Sequence, residues 1–145
     1  MSSILTKEAT QAWIQLHRAH RLLLARVEET LKTNNLPPLV WYDVLFELSQ
    51  VKEDGLRQYE IGEKILLYKH NLSRLLDRLE KKHFVKRYTS AEDARGNRII
   101  ITSAGIKLMN QIWPIYRDSI RENFAGKLSV NEFSELNKFL CSILE

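Results

Sequence analysis

The sequence holds a single cysteine, Cys141, in 145 residues. One thiol excludes an internal disulfide and suits a reducing compartment, so a cytoplasmic location is expected. Three prolines and five glycines leave little material for a linker, and the length is that of one domain, 1–145. No run of about 18 apolar residues occurs, so no membrane-spanning helix is expected. The stretch MSSILTKEATQAW lacks a basic region followed by an apolar core, so no signal peptide is expected. The sequence also lacks a glycine-rich phosphate loop, a G-x-S-x-G turn and any recognisable cysteine–histidine pattern. No enzyme activity, cofactor or metal is therefore expected.

What is present is an apolar fraction of 44%, enough for a globular core. The formal net charge is +4, and its placement matters more than its size. Between Lys52 and Arg98 stand 12 Lys/Arg against 8 Asp/Glu, whereas the remainder balances at 10 and 10. The excess lies wholly on one central segment, as expected for a polyanion partner such as nucleic acid. A lysine-rich solvated face is the plain alternative.

The first predicted helix runs from Thr6 to Lys32, with Ala9, Trp13, Leu16, Leu23, Leu24, Val27 and Leu31 at three-and-four spacing. It offers more apolar face than one small core needs, which points to a second subunit. Asn34 or Asn35 supplies the left-handed turn that ends it. After Pro37-Pro38 a second helix is predicted over Leu39–Val51, burying Val40, Trp41, Val44, Leu45 and Leu48. Leu56-Arg57-Gln58 reads as a small strand. The next helix, Glu60 to Leu66, turns Ile61, Ile65 and Leu66 inward, with Gly62 as a small residue at a close helix crossing. A longer basic helix is predicted over Lys69–Lys82. It buries Leu72, Leu75, Leu76 and Leu79, and carries Lys69, His70, Asn71, Ser73, Arg74 and Arg78 on its other face.

Phe84–Tyr88 and Arg98–Ile101 read as two strands joined by a polar tip that contains Gly96-Asn97. Thr102 or Ser103 caps a helix from Ala104 to Phe124, in which Pro114 should produce a kink. Ser129 and Glu132 form a capping box that opens the last helix. The fold class is thus mainly α with a small β wing. A winged helix-turn-helix lobe spans 36–102, and dimerisation helices span 1–35 and 103–145.

Leu72-Ser73-Arg74-Leu75-Leu76-Asp77-Arg78-Leu79-Glu80-Lys81-Lys82 resembles the recognition-helix signature of the MarR family of bacterial transcription regulators. Glu92-Asp93-Ala94-Arg95 is similar to the family's Asp-x-Arg wing motif, and Ile100–Gly105 to its closing strand and cap. The resemblance implies a homodimer on a palindromic duplex, with recognition helices in successive major grooves and wings in the minor grooves. Lys69, His70, Asn71, Ser73, Arg74 and Arg78 would line the major groove. Arg95 would enter the minor groove, oriented by Asp93, while Lys86, Arg87 and Arg98 face phosphates or steady the wing. A role as repressor, released by a small ligand, is implied by many members. Trp13, His17, Trp41 and Trp113 are the aromatic candidates for lining such a pocket. Two departures are evident: the family's glycine after the recognition helix is His83 here, and its small polar residue opening the preceding helix is Tyr59. Cys141, far from the N-terminus, is expected to be a buried structural thiol and not a redox switch.

Two other readings stay open on sequence. One is a winged-helix protein-interaction module without DNA binding. The other is a metal sensor built on His17 and His20, which stand at ligand spacing.

Overall fold

Leu45, Leu48, Ile61, Leu76, Leu79 and Ile99 are each at most 1% exposed, and the elements that carry them are those the periodicity marks out. The computed structural model describes residues 4–67, 70–89 and 98–145. It divides into two compact units. One is Leu31–Ile115; the other is the chain up to Thr30 together with Tyr116–Glu145. The sequence-based lobe, 36–102, is therefore narrower than the unit that contains it.

In the larger unit, α2 (Leu39–Val51), β1 (Leu56–Arg57), α3 (Gln58–Lys64), α4 (Leu72–Lys81), β2 (Val85–Tyr88), β3 (Arg98–Ile101) and the first part of α5 (Ser103–Ile120) surround one core. Val44, Leu45 and Leu48 of α2 meet Ile61 of α3, Leu75, Leu76 and Leu79 of α4, and Leu56, Val85, Ile99 and Ile101 of the sheet. Each such side chain removed from water contributes about 1.5–3 kcal/mol. The sheet is antiparallel in the order β1-β3-β2. Val85 pairs with Ile101 and Arg87 with Ile99 on the core side; Lys86 pairs with Ile100 and Tyr88 with Arg98 on the outer side.

Several boundaries differ from the sequence reading, each for a local reason. α3 starts at Gln58, because Glu60 Oε1 accepts from the Arg57 N–H at 2.9 Å and so satisfies one of the donors that a helix start leaves open. It ends at Lys64, since Ile65 is extended. Leu66, expected inward, is accordingly 81% exposed. α4 starts at Leu72 and not at Lys69: Asn71 lies at φ −110°, ψ 53°, outside the helical region, as a capping position requires. Gly62 faces Leu72 across the helix pair, but an added Cβ would still be 3.6 Å from Leu72 Cδ2. The crossing leaves room for a methyl group, so the close-packing role expected for Gly62 does not hold.

Both long-range turns out of helices are six-to-one capped with a left-handed residue. Asn35, at φ 58°, ends α1 (Lys7–Thr33), with Leu36 N donating to Leu31 O at 2.9 Å. His83, at φ 65°, ends α4, with Phe84 N donating to Leu79 O and His83 N to Glu80 O, both at 2.9 Å. Gly105 marks a closer approach: a Cβ there would collide with the Phe84 carbonyl oxygen. Thr102, whose Oγ1 accepts from Gly105 N at 3.1 Å and donates to His83 O at 2.6 Å, caps α5.

The smaller unit holds most of α1, the end of α5 and α6 (Val130–Leu144). Thr6 Oγ1 accepts from Ala9 N at 3.0 Å and caps α1. α5 runs through Pro114 to Ile120, and the departure from α geometry comes after it, as a π turn over Arg121–Ala125. The expected capping box at α6 is present, with Glu132 N to Ser129 Oγ at 3.1 Å and Ser129 N to Glu132 Oε1 at 2.9 Å. The Ser129 N–H, donating to the carboxylate, holds the Glu132 pKa below its ordinary value. Phe124 and Phe133 pack with ring centroids 4.9 Å apart. α6 has no buried residue, so Cys141 is exposed, contrary to the expected buried thiol. Among the described residues no helix is long and apolar enough to cross a membrane.

Candidate nucleic-acid interface

α4 is sharply two-sided. Leu75, Leu76 and Leu79 point into the core, while Ser73, Arg74, Arg78 and Lys81 stand in solvent. Arg74 and Arg78 lie at i, i+4, one above the other on one face, and neither makes an ion pair among the described residues. His70 and Asn71 are exposed too, but on the turn before the helix; the Asn71 carbonyl accepts from Leu75 N at 3.0 Å. The sequence-predicted group is therefore split between a turn and the first two turns of the helix. Lys69 lies outside the described residues, as do Asp93 and Arg95 of the wing tip.

The wing cations separate by face. Lys86 is exposed on the outer side of β2. Arg98, on the central strand, sits between Arg57 and Tyr88 and donates to the Asp54 carbonyl at 3.4 Å. Arg87 points the other way, toward α4. Its Nη1 is 2.7 Å from Asp77 Oδ1 and 3.0 Å from Glu80 Oε1, and its backbone N–H donates to Glu80 Oε2 at 3.2 Å. Partial burial works against its charge, but the two carboxylates outweigh that and raise the Arg87 pKa. Arg87 is thus flanked by two carboxylates of α4 and ties the hairpin to that helix.

One residue absent from the sequence-based set belongs with these. Asp43 of α2 is 6% exposed, and its Oδ2 accepts from Leu67 N at 2.9 Å, just ahead of α4. Burial raises its pKa, the Leu67 and Leu66 N–H groups pull it down, and Glu47 adds to the rise. The sequence does carry a signal: Asp43 is an acid four residues after Leu39, on the stripe that α2 buries.

The four aromatic-pocket candidates have different surroundings. Trp13 meets His17 edge-on, with centroids 4.4 Å apart, along an open groove of about 690 Å³ on α1 lined also by His20, Arg21 and Leu24. Trp41 packs on Phe84 at 6.3 Å against the core. Trp113 stacks on Tyr42 at 6.0 Å and stays 40% exposed. Among the described residues no group of three His, Cys, Asp or Glu side chains converges.

Residues 34–96 match the profile described as the MarR family. The chain is 31% identical over 118 residues to the HTH-type transcriptional regulator MhqR of Bacillus subtilis (strain 168), covering 81% of this chain and 79% of that protein. Among solved structures, it superposes on Sco3205, a MarR family transcriptional regulator from Streptomyces coelicolor in complex with DNA. There the TM-score is 0.87 at 25% identity, over 100% of this chain and 91% of the other. AbsC, a MarR family transcriptional regulator from the same organism, gives 0.82 at 27% identity over 99% and 96%.

Proposed function

The chain belongs to the MarR family of winged helix-turn-helix transcription regulators, and from that premise we propose that it acts in the cytoplasm as a homodimer that reads a palindromic duplex site and represses transcription there. The observation that carries this reading is the exposed, unneutralised Arg74–Arg78 edge of α4, opposite a sealed apolar face. Such an edge fits a major groove, where arginine pairs with guanine or a phosphate. His70, Asn71 and Ser73 flank it, and Lys86 and Arg98 extend the positive surface across the wing. Lys69, Asp93 and Arg95 join the proposal on the strength of the sequence motif. The known complex of Sco3205 with DNA supports the same use of this fold.

The homodimer follows from a different quantity. In the single chain Trp13 is 64% exposed, Phe139 61% and Ile143 70%, an apolar load that water disfavours and that a second copy would cover. The lobe at 36–102 then reads DNA, while 1–35 and 103–145 pair the subunits. The groove at Trp13 and His17, with Arg21 beside it, suits a small aromatic anion as the releasing ligand.

Selection on random duplex DNA tests the reading. A palindrome is expected, with half-sites about one duplex turn, roughly 34 Å, apart. Arg74→Ala and Arg78→Ala should each weaken binding, and each arginine that touches a phosphate should reduce the salt slope by about one. No enriched site, a salt-independent affinity, or a monomer at working concentration overturns it.

A further inference from the structure

The turn between α3 and α4 carries His70 and Asn71 and delivers the first turn of α4; of its apolar residues, Ile65 packs on the core and Leu66 does not. Ile65 is extended and only half-buried, and Leu66 is 81% exposed. A bond between residues 24 apart in sequence crosses to it from α2: Asp43 Oδ2 to Leu67 N, at 2.9 Å. The Asp43 side chain belongs to a helix whose Val44, Leu45 and Leu48 are wholly buried, so the acceptor is fixed to the rigid core. A charged acceptor on a rigid helix makes a bond about twice as strong as a neutral one. A buried carboxylate is otherwise costly to keep, and an apolar residue of similar size would suit the stripe better for stability alone.

We infer that Asp43 is a positioning residue for sequence reading: its buried carboxylate, by holding the Leu67 N–H, sets where the turn places His70, Asn71, Ser73 and Arg74 relative to the lobe. This rests on the reading that α4 enters the groove. Asp43 itself does not reach DNA. It acts on register alone, and register decides base contacts much more than phosphate attraction, which tolerates small displacements.

The test compares Asp43→Ala and Asp43→Asn with the wild type on two duplexes: the sequence that the wild type enriches from random DNA, and a scrambled version. Asp43→Ala removes the acceptor. It should weaken binding to the selected duplex about tenfold, the loss of one charge-assisted bond, while leaving the scrambled duplex bound as before. Asp43→Asn keeps an acceptor oxygen and should recover most of the loss. In parallel, exchange of the Leu67 amide should be slow in the wild type and in Asp43→Asn, and fast in Asp43→Ala. Equal binding of Asp43→Ala and wild type to the selected duplex overturns the inference. So does a parallel loss on both duplexes, which marks general damage to the fold, or an unchanged Leu67 exchange rate. Failure of the underlying reading looks different, because the wild type would then enrich no sequence at all while the amide measurement still reports on the tether.

Discussion

Arg87 on β2 and Asp77 on α4 are joined by a 2.7 Å contact between Nη1 and Oδ1, and Glu80, one turn further along α4, closes on the same nitrogen at 3.0 Å. The hairpin and the helix that would read DNA are thereby fastened to each other by charge as well as by the apolar contact beneath. Fully exposed pairs of this kind contribute little, but here the arginine is only 25% exposed and serves two acids.

Arg87→Ala should therefore cost about 1–2 kcal/mol of stability, and a double-mutant cycle with Asp77→Ala should give a coupling of about 0.5–1 kcal/mol. Arg87→Lys should rescue only partly, because the shorter lysine side chain places its ammonium short of the position where Nη1 meets both acids. If Arg87 steadies the wing without touching phosphate, the salt slope of DNA binding stays as in the wild type. A slope reduced by about one would reassign it to the DNA backbone.

Gly62 and Gly105 should respond in opposite directions to the same substitution. Gly62 sits inside α3 where an added methyl would make an ordinary contact with Leu72, so Gly62→Ala gains helix propensity and should stabilise by up to about 1 kcal/mol. At Gly105 a methyl would meet the Phe84 carbonyl and Ile101 Cγ1. The propensity gain there is outweighed by overpacking, and a net loss of about 2 kcal/mol is expected. Urea midpoints of the two variants decide it; a destabilised Gly62→Ala would restore the close crossing that the geometry denies.

The elements were legible in the sequence wherever apolar spacing is unbroken. Leu39–Val51 and Arg98–Ile101 emerge with the expected bounds, because each face is sealed by residues the pattern marks. Boundaries slipped where backbone and side chain compete. Asn71 leaves the helix although the polar face of α4 continues in sequence back to Lys69, and Arg57 begins a helix through the carboxylate of Glu60 and not through a residue type that announces a cap. Within the site, charge alone could not separate Arg87 from Lys86. Neighbours in sequence, they point to opposite faces of a strand, and only strand register tells which one meets α4. Asp43 was missed because its partner is a main-chain N–H on a distant turn, which no side-chain pattern encodes.

His83 holds a left-handed conformation, φ 65°, at the position that follows the C-cap of α4. A side chain with a Cβ is disfavoured there by roughly 1 kcal/mol, and glycine is the residue free of that cost. His83→Gly should raise stability by about that amount, less the greater freedom that glycine gives the unfolded chain. The two capping bonds, Phe84 N to Leu79 O and His83 N to Glu80 O, need no histidine side chain. DNA affinity should be unchanged in the same variant. A loss of affinity without a loss of stability would instead show that the imidazole itself takes part in binding.

Asp43 also makes a prediction about pH, and its sign is opposite to that of an ordinary paired carboxylate. Burial, reinforced by Glu47, lifts its pKa above the ordinary 3.8 despite the Leu67 and Leu66 N–H groups. The folded protein therefore holds this proton more tightly than the unfolded chain does. Between 3.8 and the raised folded value the native state binds more protons, so stability contributed by this group is fully present below 3.8 and is lost as pH rises through the folded value. Asp43→Asn removes the titration but keeps an acceptor. Its stability relative to the wild type should grow as pH rises from acid to neutral and then level off. Denaturant midpoints of the two proteins across that range measure the difference directly, and a gap that stays constant or shrinks with rising pH would show that burial does not raise the Asp43 pKa.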